Sequence, residues 1–287
     1  MPAIPSPMRL LLLYGLLSLA AVALGGWVCA LSGVPAGSWL RNVAVWPIGL
    51  LLAGALAALA RERAATILLV VGVVILGSSL AGIPQDGVRR WLDAGPLHIN
   101  VAFVVLPLVV VALSWTLRHW WSWALAFAGQ AVLVAQPDAS QATAFGAGLA
   151  VLAVVAPAPR PWRIGLVLLA SGLALVSWFR PDPLEAVAEV EEIIALASAV
   201  SPVLAVLAVT LIAGASAAPA LAARGTPAGD AGLALSAYML VAAATTVLGA
   251  FPVPLLGVGM SPILGFWLGV GLLAARLRSA PIPASGS

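Results

Sequence analysis

The sequence contains no lysine, only one cysteine and very little charge of either sign: 13 basic residues, all arginine, and 10 acidic ones make up 8% of its 287 positions. Each scarcity excludes something. Cys29 has no partner, so no disulfide forms within the chain. The two histidines, His98 and His119, are far apart and predicted on opposite faces, so they suggest no protein-built zinc site. A chain that is 63% hydrophobic cannot hide its apolar surface in one water-soluble core, so lipid is its solvent. The net charge of +3 comes from arginines scattered between apolar runs rather than gathered in a patch, which argues against a nucleic-acid partner.

Alternating polarity is absent too, and with it the signature of a transmembrane β-barrel. The apolar runs, such as 65–81 and 99–113, are continuous, and in lipid such runs satisfy their backbone groups only as helices. The predicted fold class is all-α: a polytopic transmembrane helical bundle. At about 20 residues per crossing, the charged, Pro-rich and Gly-rich breaks delimit about ten spans. Their centres fall near Leu19, Leu51, Val74, Val109, Ala128, Val151, Ala170, Ala205, Leu240 and Gly269, the eighth being the longest. The first run, near Leu10 to Leu31, lacks a small-residue cleavage site and reads as a retained helix. No hydrophilic domain interrupts the series, so residues 1–287 are expected to form one integral membrane domain with a short Pro/Ala/Ser-rich tail over 279–287.

With both termini cytoplasmic, nine arginines (9, 61, 63, 118, 160, 163, 224, 276 and 278) lie inside and four (41, 89, 90 and 180) outside, the asymmetry of the positive-inside rule. Only Glu62 and Asp230 are then cytoplasmic acids, so any carboxylate chemistry is expected on the outer side. Trp115, Trp120, Trp121 and Trp123 bracket Arg118 at a cytoplasmic boundary, as an interfacial aromatic belt would.

Four outer segments stand out. Gln85–Leu97 carries Arg89, Arg90 and Trp91: two guanidiniums beside an aromatic suit a phosphate or pyrophosphate, and equally suit an interfacial anchor paired with Asp86 or Asp93. Gln136-Pro137-Asp138 precedes a helical run, where Asp138 would cap orphan amides for about 1 kcal/mol. Phe179–Glu192 is the most acidic stretch. Pro181 and Pro183 hold its start extended around Asp182, while Glu189, Glu191 and Glu192 fit the amino end of a helix. Gly249–Pro262 is too rich in Pro and Gly for regular helix and reads as a groove wall or a surface hairpin.

Together these segments resemble motifs of the shape, elongation, division and sporulation family of bacterial cell-wall polymerases. Gln85–Leu97, with Arg89-Arg90-Trp91, resembles its Gly-x-x-Arg-Trp loop, Gln136-Pro137-Asp138 with Ala144 and Gly146 its Pro-Asp-Leu-Gly-Thr-Ala element, Glu191-Glu192 its Glu-Glu pair, and Gly249–Pro262 its Leu-Pro-x-Thr-Gly-x-x-Leu-Pro segment. The sequence departs from the family at Asn100-Val101-Ala102-Phe103, where Gln-Pro-Ser-Glu is usual, at Leu106 in place of a Lys, and in lacking Ser-x-Gly-Gly-Ser. The resemblance implies a glycosyltransferase of the bacterial inner membrane. It would join undecaprenyl-pyrophosphate-linked disaccharide units (lipid II), as donor and acceptor, into peptidoglycan during growth, shaping or division of the cell. A class B penicillin-binding transpeptidase would be its partner, and magnesium or manganese could accompany the pyrophosphate. It implies Asp182 as catalytic base, with Glu185 as runner-up although the family's spacing lands on Pro183, and Arg89, Arg90, Trp91, Asp138 and Glu192 as substrate-binding residues. Two other classes compete: an inactive scaffold that keeps the helices and the partner surface, and a small-molecule transporter, for which mid-span polar residues are few, chiefly Gln130, Ser171, Thr245 and Thr246.

Overall fold

The computed structural model describes residues 6–95 and 97–279; Pro96 of the arginine loop and the tail from 280 onward, including the C-terminal end assigned to the cytoplasm, lie outside them. Eleven α-helices follow one another: α1 (Ser6–Leu31), α2 (Ala36–Leu59), α3 (Glu62–Ser78), α4 (Val101–Leu113), α5 (Trp120–Ala135), α6 (Ala139–Val155), α7 (Arg160–Trp178), α8 (Ile193–Val200), α9 (Pro202–Ala223), α10 (Gly229–Ala244) and α11 (Met260–Ser279). Each expected span centre falls in its own helix. The long eighth stretch divides into α8 and α9 because Ser201 is extended ahead of Pro202, and its hydroxyl caps the new helix at Val203.

The chain is an all-α polytopic bundle, with seven helices (α1, α2, α3, α7, α9, α10 and α11) long and apolar enough to cross a membrane, α3 and α10 when counted with the 3-10 turns that extend them to Ala81 and Val247. Their outward faces carry large exposed side chains such as Leu51, Val74 and Leu168, which only a lipid solvent accommodates at this density. The other three apolar helices are shorter. At 13 residues α4 spans only about 20 Å of a roughly 30 Å hydrocarbon core. It tolerates that length because 12 of its residues are buried among the other helices, so protein rather than lipid surrounds its ends.

Helix α11 is the hub, packed between α2 and α4. Its glycines permit the approach. A Cβ on Gly265 would lie 1.9 Å from the Phe103 carbonyl oxygen, and one on Gly271 would lie 2.5 Å from the Cα of Ala53. Close backbone contact of this kind replaces the hydrophobic drive that lipid removes.

Specific contacts sort the loops into two ends. At one, Arg9 donates to the Ala222 carbonyl, Arg276 to the Ser114 hydroxyl and Arg278 to the Ala58 and Ala60 carbonyls, so several of the arginines expected in the cytoplasm cap neighbouring helices together. At the other, the segments 85–100, 136–138, 179–192 and 249–261 meet. Asn42, near the start of α2, ties them down: its amide nitrogen donates to the Gly257 carbonyl and its oxygen accepts from the Gly259 amide. Backbone bonds from Val253 to the Val190 carbonyl and from Val258 to the Glu189 carbonyl join the Pro/Gly segment to the acidic loop, and that segment forms a cavity wall. The arginine loop closes as an antiparallel hairpin of β1 (Trp91–Ala94) and β2 (Leu97–Asn100), a small sheet added to the predicted all-helical fold.

Candidate functional site

Three loops bring one arginine and two aspartates together at the end where the hairpin lies. Residues 89 and 90 immediately precede β1, and their side chains have opposite surroundings. Arg90 is buried, whereas Arg89 is exposed and lines none of the three cavities at this end. Of the two, only Arg90 enters the cluster. The Arg90 guanidinium donates through Nη2 to Asp182 Oδ2 at 2.5 Å and to the Pro137 carbonyl, and its Nε stands 3.6 Å from Asp138 Oδ2. Nε and Nη1 make no hydrogen bond among the described residues.

Asp138 does what an aspartate ahead of a helix is expected to do: its Oδ1 accepts from the Gln141 amide at 3.1 Å and caps α6. The same carboxylate is part of the cluster. Burial pushes its pKa up, an effect opposed by the Arg90 guanidinium and the Gln141 amide and reinforced by Asp182. A single guanidinium between two carboxylates leaves the cluster one negative charge in excess when all three ionise, and a buried ion group of this kind is costly to break.

Asp182 is more accessible, with 23% of its side chain exposed. It borders a cavity of about 260 Å³ with Ala139, Trp178, Arg180 and Phe251. Glu185 and Leu184 reach a smaller neighbouring cavity of about 30 Å³ that touches Arg90, Trp91 and Asp138. Glu192 is exposed, at the N-cap of α8, and lines neither. The acid that faces inward is Glu191: half-buried, it accepts the Val187 amide at 2.9 Å, and burial pushes its pKa up. Of the Glu191-Glu192 pair the resemblance implies Glu192 as the binding residue; the turn across residues 188–192 that rotates the two apart has no signature in the acids themselves.

The positions where the resemblance expects a Glu and a Lys, Phe103 and Leu106, are fully apolar and buried in the core. Asn100, where a Gln is usual, caps α4 by accepting the Phe103 amide. Away from the polar cluster, an apolar cavity of about 550 Å³ opens between α2, α3 and α4, lined by residues such as Leu56, Ile67, Val71 and Leu108. Among the described residues no group of three or more His, Cys, Asp or Glu is placed to hold a metal ion.

The fold is shared with solved structures. The rod shape determining protein RodA of Thermus thermophilus matches with a TM-score of 0.69 and 22% sequence identity, over 92% of this chain and 95% of that one. An aspartate-to-alanine variant of that protein matches with the same TM-score and identity, over 92% and 96%. A chain from a structure described as "Structural coordination of polymerization and crosslinking by a peptidoglycan synthase complex" matches at a TM-score of 0.62 and 24% identity, over 92% and 96%. No family model matches the chain, and no curated protein matches it by sequence. The similarity is one of fold: this chain is folded as RodA is, over nearly its whole length.

Proposed function

We propose that this chain is a divergent member of the shape, elongation, division and sporulation family, a multi-pass glycosyltransferase of the bacterial inner membrane that polymerises an undecaprenyl-pyrophosphate-linked disaccharide. The observation that carries the reading is the convergence of Arg90, Asp138 and Asp182 from three separate loops at one end of a RodA-like bundle. The apolar cavity between α2, α3 and α4 suits a polyprenyl chain.

In this reading the Asp182 carboxylate takes the proton of the acceptor sugar hydroxyl. The hydroxyl oxygen bonds to the donor's anomeric carbon, the bond from that carbon to pyrophosphate breaks, and the configuration inverts. Among the described residues Arg90 Nη1 has no hydrogen-bond partner and is the nitrogen left to meet a phosphate oxygen, while Nε faces Asp138 and Nη2 is spent on Asp182 and Pro137. Pyrophosphate leaves without a general acid when positive charge balances it. A magnesium or manganese ion arriving with the pyrophosphate would supply further charge there; Asp138 would be the carboxylate to hold it, one being enough for a cation that keeps its phosphate and water ligands, with Asp182 left as the base. The partner would be a class B penicillin-binding transpeptidase, in keeping with the synthase complex among the structural neighbours.

The inactive-scaffold reading has its own support: Phe103 and Leu106 remove from the membrane interior the acid and base that the resemblance expects there. Incubating the purified protein with the lipid-linked disaccharide, a divalent cation and candidate transpeptidases separates the two. Elongated glycan supports the enzyme; its absence under every condition, with a transpeptidase still bound, supports the scaffold.

A further inference from the structure

The end of the bundle opposite Asp182 carries a groove that the polymerase reading does not use. Helix α7 begins there, and its residues Arg160, Arg163, Ile164, Val167 and Leu168 recur at the spacing that puts them on one helix face, the two cations in the first turn and the apolar side chains farther into the membrane. With Val154 from the last turn of α6 they line an open groove of about 390 Å³, inside the range of about 300–1,000 Å³ typical of small-molecule sites. Its floor faces lipid, since Val154, Ile164 and Leu168 are all exposed. Trp162, also exposed, stands in the same first turn, where amphipathic rings meet headgroups.

The arginines at this end are of two kinds. Arg9, Arg276 and Arg278 are spent on carbonyls and a hydroxyl of neighbouring helices. Arg160, by contrast, makes no side-chain hydrogen bond among the described residues, and Arg163 makes one, from Nη1 to the Val154 carbonyl at 2.8 Å, which ties its guanidinium across the groove. The Arg163 Nε is closed off from solvent without a partner, so the fork is partly desolvated, and there an anion attracts it more strongly than in water. No carboxylate pairs with either residue among the described residues. Two neighbouring cations with no acid between them favour a net anion and repel the ammonium of a zwitterion.

We infer that this groove holds an anionic glycerophospholipid of the leaflet at this end, the cytoplasmic one by the arginine asymmetry, with its phosphate on Arg160 and Arg163 and one acyl chain along Ile164, Val167 and Leu168. The lengths agree: Arg160 to Leu168 rises about 12 Å, and half of the hydrocarbon core is about 15 Å deep. A soluble phosphate would meet the same cations but gain nothing from the apolar floor. The site is independent of the polymerase reading, since the 19 residues of α7 put about 28 Å between the groove and the loop of Asp182.

The test offers the purified full chain, in detergent, a mixture of phosphatidylglycerol and phosphatidylcholine with the same acyl chains, and counts the lipids it retains by native mass spectrometry. Wild type should retain phosphatidylglycerol in preference. An arginine near an anionic headgroup is worth about five-fold, so Arg160→Gln and Arg163→Gln should each lower the preference by about that factor, and the double variant by about 25-fold. Arg63→Gln, which removes an exposed cation of α3 at the same end, should leave it within about two-fold. Leu168→Trp fills the floor without touching the charge and should reduce retention of phosphatidylglycerol, whereas soluble glycerophosphate in excess should not displace it. If Arg163→Gln fails to fold for want of its bond to Val154, the exposed Arg160→Gln carries the test. A wild type without preference, a double variant that keeps it, an Arg63→Gln loss as large as those of the groove variants, or displacement by glycerophosphate each overturns the lipid site.

Discussion

Removing the guanidinium of Arg90 should be among the most destabilising single changes in the molecule. Arg90→Ala leaves Asp138 buried, with its Oδ1 held by the Gln141 amide but its nearest positive charge gone. At 3.6 Å, with an effective dielectric constant of about 20, that pair is worth about 4–5 kcal/mol of gross Coulomb energy, much of it offset by desolvation. Deleting one member forfeits the attraction and leaves the desolvation, a loss of about 3–5 kcal/mol. Asp182, with 23% of its side chain exposed, is screened by solvent and adds about 1 kcal/mol or less. The midpoint of thermal unfolding in nanodiscs, followed by tryptophan fluorescence, should fall on the order of 10 °C. Adding Asp138→Asn should restore most of the loss, because asparagine still caps α6 but carries no charge. Arg90→Lys should fall between, since an ammonium cannot reach Pro137, Asp138 and Asp182 from one planar fork. If Arg90→Ala unfolds where wild type does, or if Asp138→Asn fails to rescue it, Arg90 is not the counter-charge of a buried carboxylate.

Gly265→Ala should cost at least about 1–3 kcal/mol, because the added methyl meets the Phe103 backbone, whereas Gly54→Ala, with open space around it, should be neutral or gain up to about 1 kcal/mol; unfolding midpoints of the two variants compare them directly. Burial raises the pKa of Glu191, so at a pH just above the ordinary glutamate value the folded chain holds a proton that the unfolded chain has released. This contribution to stability is complete below about pH 4.5 and is lost as pH rises through the raised pKa. Glu191→Gln should flatten that part of the profile of unfolding midpoint against pH, and an unchanged slope would assign it to another group. Single cysteines introduced at Asp182 and Arg89, with Cys29 replaced, should react with a membrane-impermeant reagent from the extracytoplasmic side, and reaction only from the cytoplasm would invert the proposed topology.

The helices were legible because lipid leaves a run of apolar residues one way to satisfy its backbone, and each expected centre lies in a helix. What escaped was set by side-chain direction and by distant contacts. Arg89 and Arg90 read as a pair in sequence, but Arg89 is exposed and Arg90 buried, and only Arg90 enters the cluster. Glu191 and Glu192 both sit at a helix mouth in sequence, and the preceding turn decides which one faces inward. The Asp93–His98 contact depends on the hairpin register, which pairs those two positions across the strands, and an apolar-run reading gave the hairpin no strands at all. Asn42, which fixes the Pro/Gly segment, acts across 215 residues and carries no local signal.

The central claim is that Asp182 removes a proton from a sugar hydroxyl, and elongation of the lipid-linked disaccharide by purified protein with its partner tests it most directly. A positioned base is typically worth a factor of about 100 to 10,000 in rate. Asp182→Asn should therefore nearly abolish elongation while unfolding midpoint and lipid binding stay close to wild type, and Glu185→Gln should elongate normally. Normal elongation by Asp182→Asn alongside a dead Glu185→Gln would contradict the assignment and move the base three residues along the same loop.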